Sequence, residues 1–355
     1  MILLRRIRRL TPPALLVAVC AAASAVSAAP VVGGGEIPPE SLTIRVFEDA
    51  TVHFHPDSSA KYVTAGVTAE ENGRIASALC LLPEWTEPHR ITALLTLKPI
   101  PKSAREVFDR WDRAGNIRLA LDGGPDIEIV RFMTSYGGRT DHEVDVTHLA
   151  PLLRGQRRIR AFVDTWVSPG WRIDFALRYT PAAEQSPATW AAPVCYTDAL
   201  TGEEMPEGME ARIEVPPGLA RVVLKVFSTG HCTDGTDADE FISKANVISV
   251  DGVVVARYHP WRNDCRDFRE RNPYTARWTD GSWSSDYHRS GWCPGVEVLP
   301  VEFDLTDHLT PGRHVLRFLV EDIRPRNDEG HYGYWRISAH VVGWSEPPAL
   351  WRNED

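Results

Sequence analysis

A carboxylate between an indole and a guanidinium stands out in the segment FDRWDRAGNIRLAL, where Asp112 lies between Trp111 and Arg113. A carboxyl group can transfer protons when burial and neighbouring charges set its pKa, and an indole offers an apolar face to a sugar ring. Two interpretations are open from these residues. They form either an acid site that contacts sugar or a packed indole beside a surface ion pair.

A second acidic cluster follows the predicted strand 222–227, in the segment STGHCTDGTDADEF. Its histidine and acids are His231, Asp234, Asp237, Asp239 and Glu240. A solvated loop or a calcium-ordered loop would also produce such a cluster, but the acids do not follow the alternate spacing of a calcium loop. We therefore predict no metal at this position.

Motifs for metal sites, nucleotide cofactors and serine hydrolases are missing from the sequence. It has no CxxC or HExxH, no GxSxG elbow, no GxxxxGK[ST] loop and no dinucleotide fingerprint after a strand. His53 and His55 alternate in VHFHP and could face one side of a strand as copper or zinc ligands, but no third ligand can be placed. A satisfied or solvent-facing pair is favoured. Carboxylate chemistry without a cofactor remains.

The elements that must position these side chains are predicted to be strands. Short alternating or β-branched runs are interrupted by Gly, Pro or Asp clusters, and helical periodicity is scarce. The clearest runs are 117–121, 159–163, 173–179, 222–227 and 315–320. In VISVDGVVVARY, Asp251 and Gly252 supply two residues that tolerate positive φ, which predicts a hairpin.

A weak internal repeat divides the chain. Segment 142–163 resembles segment 300–320, since each has Asp-aliphatic-Thr, a break with Pro, a Gly and a strand ending near Phe. Trp-Arg-Ile follows each copy, at 171–173 and at 335–337, with an offset of about 160 residues. We therefore predict two similar antiparallel sandwiches, with a boundary where Pro, Ala, Ser and Gln replace the alternation.

The N-terminal residues predict export. Four arginines precede an Ala-rich apolar run that ends in Val26-Ser27-Ala28, the pattern of a secretory signal peptide with a small-residue cleavage site. The predicted organisation is a signal peptide at 1–28, an N-terminal domain at 29–180, a linker at 181–193, a C-terminal domain at 194–347 and a tail at 348–355.

Charge and hydropathy restrict the partners. Removing residues 1–28 changes the formal net charge from −9 to −13, because that segment carries four arginines and no acid. An acidic exported protein is a poor candidate for binding nucleic acid or anionic membranes. No later segment approaches the ~18 uninterrupted apolar residues of a spanning helix. We expect a soluble monomer, secreted or periplasmic.

Five cysteines remain after residues 1–28. They are Cys80, Cys195, Cys232, Cys265 and Cys293. Export permits disulfides, and the odd number leaves at least one thiol unpaired. Cys265 and Cys293 lie in one Trp-rich and Arg-rich segment, which is typical of a long loop that a disulfide would stabilise by about 3 to 4 kcal/mol.

Taken in order, six blocks resemble the peptide:N-glycosidase F family, secreted bacterial amidases that remove whole N-glycans from asparagine. The blocks are RWDRAGNIRL, EIVRFMTSY, DVTHLAPLLRG, VDTWVSPGWRIDF, TGH with DEF, and RSGWCPG. They cover most of residues 109–343 and are specific in combination, although each alone is weak. The resemblance implies an all-β fold of two eight-stranded antiparallel jelly rolls side by side, with the active site in the groove between them.

The resemblance also implies a pair of acids from the two domains. Asp112 matches the family's principal catalytic carboxylate, and Glu240 matches its second essential acid. Asp164 matches a family Glu, so its carboxyl group is set back by one methylene, which matters where reacting groups need exact distances. In this scheme Asp112 controls protonation of the linkage nitrogen and Glu240 binds and orients water. Asp164 supports one of these two acids.

The predicted substrate-binding residues are Trp111, Arg113, Trp166, His231, Arg289 and Trp292. Either Arg113 or Arg289 could lower the pKa of a carboxylate or donate to the substrate carbonyl, and the sequence does not choose between them. The tryptophans would offer faces to sugar rings or pack in the core. The resemblance further implies that Cys265 and Cys293 form a disulfide.

Departures from the family pattern keep other functions open. Two further family disulfides are missing, and Thr229 stands where the family has a Trp. The main alternative is a non-catalytic glycan- or surface-binding protein of the same fold. A copper-dependent monooxygenase would need His clusters in both domains and a Met ligand, which the sequence does not offer. The amidase interpretation makes N-glycosylated proteins or glycopeptides the partners.

Overall fold

The structure, a computed structural model, describes residues 41–55, 61–62, 64–183, 187–234 and 238–346. The predicted signal peptide at 1–28 and tail at 348–355 lie outside these residues. The regular secondary structure of the described chain is almost entirely antiparallel β, as the alternating runs predicted. No helix within it is long and apolar enough to cross a membrane.

The N-terminal half is built from eleven strands in the described residues. They are β1 (Leu42–Val52), β2 (Val67–Glu70), β3 (Ile75–Leu82), β4 (His89–Pro99), β5 (Pro101–Ser103), β6 (Glu106–Val107), β7 (Ala114–Ala120), β8 (Ile127–Met133), β9 (Thr140–Asp145), β10 (Gly155–Val163) and β11 (Trp171–Pro181). The 3-10 helices Glu71–Gly73 and Thr147–Leu149 lie between them.

The C-terminal half continues with nine strands in the described residues. They are β12 (Trp190–Leu200), β13 (Met209–Val215), β14 (Arg221–Cys232), β15 (Asn246–Val250), β16 (Val253–Tyr258), β17 (Glu297–Val298), β18 (Val301–Asp304), β19 (Gly312–Val320) and β20 (Gly333–Trp344). The 3-10 helices are Cys265–Arg271 and Ser284–Asp286. Because β11 reaches Pro181 and β12 begins at Trp190, strands occupy both ends of the predicted linker 181–193.

Each half has its own apolar core. In the N-terminal half, a sheet of order β1-β11-β4-β9 and a sheet of order β17-β8-β7-β10-β3-β2 share one buried cluster, from Phe47 to Tyr179. In the C-terminal half, β12-β20-β14-β18 and β13-β19-β15-β16 share another, from Val194 to Val341. The alternation of buried residues along β11 and β19 is the period-two pattern read from the sequence.

The strand order reproduces the internal repeat. In both halves the first strand, β1 or β12, pairs with the last, β11 or β20, and the sheet ends at β9 or β18. The next long strand, β10 or β19, then lies in the other sheet of its half. The two Trp-Arg-Ile copies occupy equivalent last strands.

The predicted hairpin is confirmed. Strands β15 and β16 pair across a two-residue turn in which Asp251 has φ 50° and Gly252 has φ 83°. Positive φ at both positions is what a type I′ turn requires, and Gly adopts it without a steric penalty.

A buried polar network joins the two halves. The Arg131 guanidinium on β8 pairs with Glu128 at 2.8 Å and donates to the carbonyl oxygen of Arg336 on β20 at 2.8 Å. On β7, Asn116 donates to the Tyr196 hydroxyl at 3.1 Å. Strand β17, although it follows β16 in sequence, pairs with β8. Buried charges paired in this way fix one relative placement of the two halves.

Candidate active site

A cavity of about 610 Å³ brings the predicted site residues together. All of the residues singled out for catalysis or substrate binding line it: Trp111, Asp112, Arg113, Asp164, Trp166, His231, Glu240, Arg289 and Trp292. They come from both halves of the chain and are separated by up to 181 positions in the sequence, between Trp111 and Trp292. The volume is in the range of small-molecule sites in proteins.

Asp112 and Glu240 meet on one guanidinium. The Nη1 atom of Arg289 lies 3.2 Å from Oδ2 of Asp112 and also contacts Oε1 of Glu240. The side chain of Arg289 is only 2% exposed, and those of Asp112 and Glu240 are 12% and 14% exposed. Asp112 therefore forms a nearly buried ion pair with Arg289. This differs from the surface ion pair that was one of the two interpretations of the sequence.

Burial raises the pKa of both carboxyl groups. For Asp112 the attraction of Arg289 and a hydrogen bond from Tyr136 oppose this rise. For Glu240 burial is again the largest cause, Arg289 opposes it, and the negative charge of Asp112 adds to it, so that its pKa is about 7. One guanidinium facing two carboxyl groups is neutral when the pair keeps a single proton, and that proton belongs to the pair.

The loop that carries Asp112 is held by a second aspartate. Asp109 is fully buried and accepts two hydrogen bonds at 3.0 Å from Nε and Nη2 of Arg113. The Thr165 hydroxyl donates to Asp109 at 2.7 Å, and the Arg113 amide donates to the Thr134 hydroxyl at 2.8 Å. No described residue accepts a hydrogen bond from Nη1 of Arg113. Asp109 thus places Asp112 at the entrance of β7 and holds Arg113.

The loop that carries Glu240 is held by its neighbour in the acidic cluster. Asp239 is fully buried and accepts hydrogen bonds from the Trp335 indole at 2.8 Å and the Arg324 amide at 2.9 Å. A Cβ on Gly333 would lie 1.8 Å from a carboxylate oxygen of Asp239, so only glycine fits there. Asp239 has a structural role, and the next residue, Glu240, lines the cavity.

Asp164 lines the cavity but is engaged by two arginines. Its Oδ1 lies 2.9 Å from Arg74 and its Oδ2 lies 2.6 Å from Arg336. The Arg74 guanidinium lies 5.1 Å from the ring centre of Trp166. Within the described ranges, no ion pair or hydrogen bond joins Asp164 to Asp112. Asp164 is therefore better placed to support a binding surface than to transfer protons.

The three predicted tryptophans occupy two environments. Trp111 and Trp166 are 47% and 57% exposed where they line the cavity, so their indoles are available to a ligand. Trp292 is 3% exposed, donates from its indole to the Gly230 carbonyl at 2.9 Å and packs under Arg289 at 4.3 Å.

The predicted histidine lies between aromatic rings. His231 stacks on Trp292 at 5.5 Å and on Tyr334 at 5.3 Å, and its Nε2 lies 2.9 Å from the Thr229 hydroxyl. Burial, together with nearby arginines, holds the pKa of His231 well below its usual value. A neutral imidazole in this position orders the cavity wall.

A segment closed by a disulfide forms one wall of the cavity. Cys265 and Cys293 are bonded, with their Cα atoms 5.1 Å apart, as the resemblance implied. We call residues 265–293 the disulfide-closed segment. Its contributions to the cavity are Trp278, Ser284, Tyr287, Arg289 and Trp292.

The disulfide-closed segment is joined to the N-terminal half at Tyr136. The Tyr136 amide donates to the Asn272 side chain at 2.9 Å, and the Tyr274 amide donates back to the Tyr136 carbonyl at 3.0 Å. The Tyr136 hydroxyl lies 3.3 Å from Nη2 of Arg289.

The remaining cysteines and the histidine pair of VHFHP lie in different environments. Cys80, Cys195 and Cys232 are thiols, and Sγ of Cys232 lies 3.5 Å from Oε2 of Glu240. His53 is buried against Gly73, whereas His55 is exposed. The exposed position of His55 agrees with the solvent-facing alternative for that histidine.

Two residues that line the cavity, Tyr136 and Trp278, were not singled out from the sequence, and neither was Asp109, which holds the loop beside it. Tyr136 lies in the block EIVRFMTSY, so the resemblance could have identified it. Trp278 lies in a stretch without periodicity, and only its residue type signals a role. Asp109 stands three residues before Asp112, and nothing in the pattern FDRWD separates a buried structural acid from one that lines the cavity.

Comparisons of the sequence with known proteins point to one family. A family model described as "Peptide-N-glycosidase F, C terminal" matches residues 201–342. The peptide-N(4)-(N-acetyl-beta-D-glucosaminyl)asparagine amidase F of Elizabethkingia miricola is 24% identical over 288 residues, which cover 74% of this chain and 78% of the relative. Both matches point to the peptide-N-glycosidase F family, to which this chain is similar over most of its length.

Solved structures of similar proteins share the fold. A protein described as PNGF-II superposes with a TM-score of 0.76 at 25% identity, over 86% of this chain and 66% of that one. This chain thus spans slightly less than two thirds of that protein. Recombinant peptide:N-glycanase F superposes with a TM-score of 0.64 at 17% identity, over 87% and 96% of the two chains.

Proposed function

We propose that the protein is an amidase that hydrolyses the bond between an asparagine side chain and N-acetylglucosamine, releasing the intact glycan and leaving aspartate. The observation that carries this proposal is the meeting of Asp112 and Glu240, one from each half, on the buried guanidinium of Arg289. Exposed indoles in the same cavity supply apolar faces of the kind that sugar rings contact.

The reaction divides between the two acids. Water must be activated for attack on the amide carbonyl, and the departing glycosylamine needs a proton. Glu240 orients the water and accepts its proton, while Asp112 delivers the proton of the pair to the linkage nitrogen. A buried pair that holds one proton at neutral pH can do both, because one member is an acid while the other is a base.

The sequence did not assign separate roles to Arg113 and Arg289, and this proposal does. Arg289 sets the charge balance of Asp112 and Glu240. Arg113 is fixed by Asp109 through Nε and Nη2, which leaves Nη1 to donate to the substrate carbonyl as its oxygen gains negative charge. No cofactor is needed for these steps.

Asp164 acts as a positioning residue in this proposal. It holds Arg74 under the exposed indole of Trp166 and ties it to Arg336 of the C-terminal half. The shorter side chain relative to the family Glu is then compatible with activity, because Asp164 does not contact the reacting atoms.

The proposal also covers where the protein works and what it acts on. The N-terminal signal predicts export, so the protein works in the periplasm or outside the cell, as a monomer, on N-glycosylated proteins or glycopeptides.

The proposal is tested with a denatured N-glycopeptide and mass spectrometry. Wild type should release the intact glycan and convert the linkage asparagine to aspartate, and Asp112→Asn and Glu240→Gln should each lose this activity by at least about 10²-fold. Asp141→Asn, a change in an exposed ion pair with Arg139, is the matched control and should retain it. Glycan binding without release by wild type would support the non-catalytic alternative instead.

A further inference from the structure

Trp278 is an exposed indole in the cavity that the two-acid mechanism does not use. Its side chain is 52% exposed, and it lines the same cavity as Asp112 and Glu240. Trp111 lies under Arg110 at 5.1 Å, and Trp166 lies under Arg74 at 5.1 Å. In the part of the chain that the structure describes, by contrast, no ring or cation covers the Trp278 indole.

Backbone hydrogen bonds close the hairpin that presents Trp278. The Trp278 amide donates to the Ser282 carbonyl at 2.9 Å, and the Gly281 amide donates to the Trp278 carbonyl at 3.0 Å. Residues Arg277 and Trp283 form an isolated bridge below this turn. Gly281, with φ 88°, adopts the left-handed conformation that closes it.

Side-chain contacts brace the same hairpin. The Ser282 hydroxyl donates to Asp280 at 2.7 Å and lies 2.8 Å from the Tyr287 hydroxyl. The Trp283 ring lies 5.5 Å from the Arg269 guanidinium and 5.4 Å from that of Arg277. A turn whose backbone is fixed before any ligand arrives loses little backbone entropy on binding, which favours its use as a binding platform.

Exposure distinguishes the depth of the cavity from its edge. Asp112 and Glu240 are 12% and 14% exposed, so the bond to be cleaved must reach the deep part of the cavity. Trp278, at 52% exposure, lies on the solvent-facing side of the same cavity, where parts of a substrate beyond that bond would lie. A flat, rigid indole matches a pyranose ring, whose shape is constant, better than it matches peptide side chains, which vary between glycoproteins.

We propose that Trp278 is a specificity-determining residue that stacks on a sugar ring of the glycan beyond the asparagine-linked N-acetylglucosamine. This inference rests on the proposed amidase function for its kinetic consequence but makes a separate claim about binding. Trp278 contacts no reacting atom, so it contributes to substrate affinity and leaves the chemical step unchanged.

The test compares two substrates that share one peptide. One carries a single N-acetylglucosamine and the other carries a mannose-extended chitobiose core. Trp278→Ala should raise KM on the order of tenfold for the extended substrate, change it less than about twofold for the short one, and leave kcat unchanged for both. Trp278→Phe should restore most of the loss, and Leu81→Ala, an exposed apolar control at 74% exposure away from the cavity, should have no effect.

The outcomes separate this inference from the amidase proposal. No rise in KM for the extended substrate, or an equal rise for both, would overturn the role of Trp278 while leaving the amidase intact. If wild type cleaves neither substrate, the binding role of Trp278 is tested by calorimetry with free chitobiose and with a free mannose-extended oligosaccharide. Weaker binding of only the extended oligosaccharide by Trp278→Ala supports the inference, and unchanged binding contradicts it.

Discussion

At the residue scale, the central feature is one buried cation shared by two acids. Arg289 makes it possible for Asp112 and Glu240 to lie close together away from bulk water, because a guanidinium, one carboxylate and one carboxylic acid sum to zero charge. Removing the cation would leave a buried carboxylate without compensation, whereas removing either acid would leave the guanidinium paired with the other. The chemistry and the local electrostatics thus depend on the same three side chains.

The shared proton predicts a pH dependence of activity. Since the pKa of Glu240 is about 7, the pair loses its last proton as the pH rises through that value, and the acid needed for the leaving nitrogen is lost. We expect kcat/KM for a glycopeptide to fall on the alkaline side of about pH 7. Glu240→Gln should move this alkaline limb of the residual activity to another pH, because Asp112 then titrates without a second carboxyl group beside it, whereas Glu143→Gln, an exposed control, should keep the limb in place. A limb that stays at the wild-type pH in Glu240→Gln would contradict the assignment.

Asp164 gives a second prediction at this scale. Lengthening it to the family residue by Asp164→Glu should not raise kcat, because both of its oxygens already pair with arginines. The extra methylene should instead destabilise the protein by about 1 to 3 kcal/mol through overpacking. Steady-state kinetics and urea unfolding measure the two effects. A kcat several-fold above wild type would show that Asp164 takes part in the chemical step.

Residue types and the family resemblance were enough to select the residues that line the cavity, but not to distinguish their surroundings. Asp109 and Asp112 occur in one short motif, yet the first is buried and paired with Arg113 while the second pairs with Arg289. That difference arises from contacts with residues more than 50 positions away, such as Thr165. No local pattern contains this information.

At the element scale, the strands were predictable and the disulfide-closed segment was not. Strands such as β10 and β11 alternate buried and exposed residues, which is visible in the sequence. The segment 265–293 has only short 3-10 helices and isolated bridges, and its shape depends on contacts with Tyr136 and on the disulfide. Its position as a cavity wall follows from tertiary contacts alone.

Opening the disulfide should loosen that wall. Cys265→Ser with Cys293→Ser removes a link that closes a loop with a sequence separation of 28 residues, and we expect a loss of roughly 3 to 4 kcal/mol in the free energy of unfolding. Because the loop carries Arg289, glycopeptide turnover should fall as well. Guanidinium unfolding and turnover of the double variant are compared with Cys80→Ser, which removes a thiol outside any disulfide. Unchanged stability and turnover would show that the loop is held without the bond.

At the scale of the whole molecule, the relative placement of the two halves decides whether the two acids meet. Their interface includes a pair of stacked imidazoles, His148 and His340, with ring centres 5.3 Å apart and planes inclined by 6°. Lys225, which pairs with Glu302, faces the same cluster. Burial, with the nearby Lys225 charge, lowers the pKa of His340 to about 3.

This interface predicts sensitivity to acid. An unfolded chain binds a proton on His340 below about pH 6.5, whereas the folded chain does not until the pH approaches about 3. Stability is therefore present above pH 6.5 and is lost as the pH falls through this window, by about 2 kcal/mol between pH 6.5 and 5. His340→Gln should flatten this slope in urea unfolding measured at several pH values, while His55→Gln, at an exposed site, should not. An unchanged slope in His340→Gln would contradict this account.

The internal repeat predicts two similar halves, and in each half the first strand pairs with the last. The contacts between the halves could not be predicted, because they depend on buried polar residues such as Arg131 and Asn116 that look like ordinary strand residues in the sequence. Strand β17, which crosses to the sheet of the other half, gave no sequence signal either.

Hydrolysis of a denatured N-glycopeptide in water enriched in heavy oxygen tests the two-acid site directly. If Asp112 and Glu240 cleave the side-chain amide, wild type converts the linkage asparagine to aspartate carrying one heavy oxygen in its new carboxyl group, and Asp112→Asn does not. A peptide that keeps its asparagine, with or without an attached sugar, or an Asp112→Asn variant that still produces labelled aspartate, would contradict the claim.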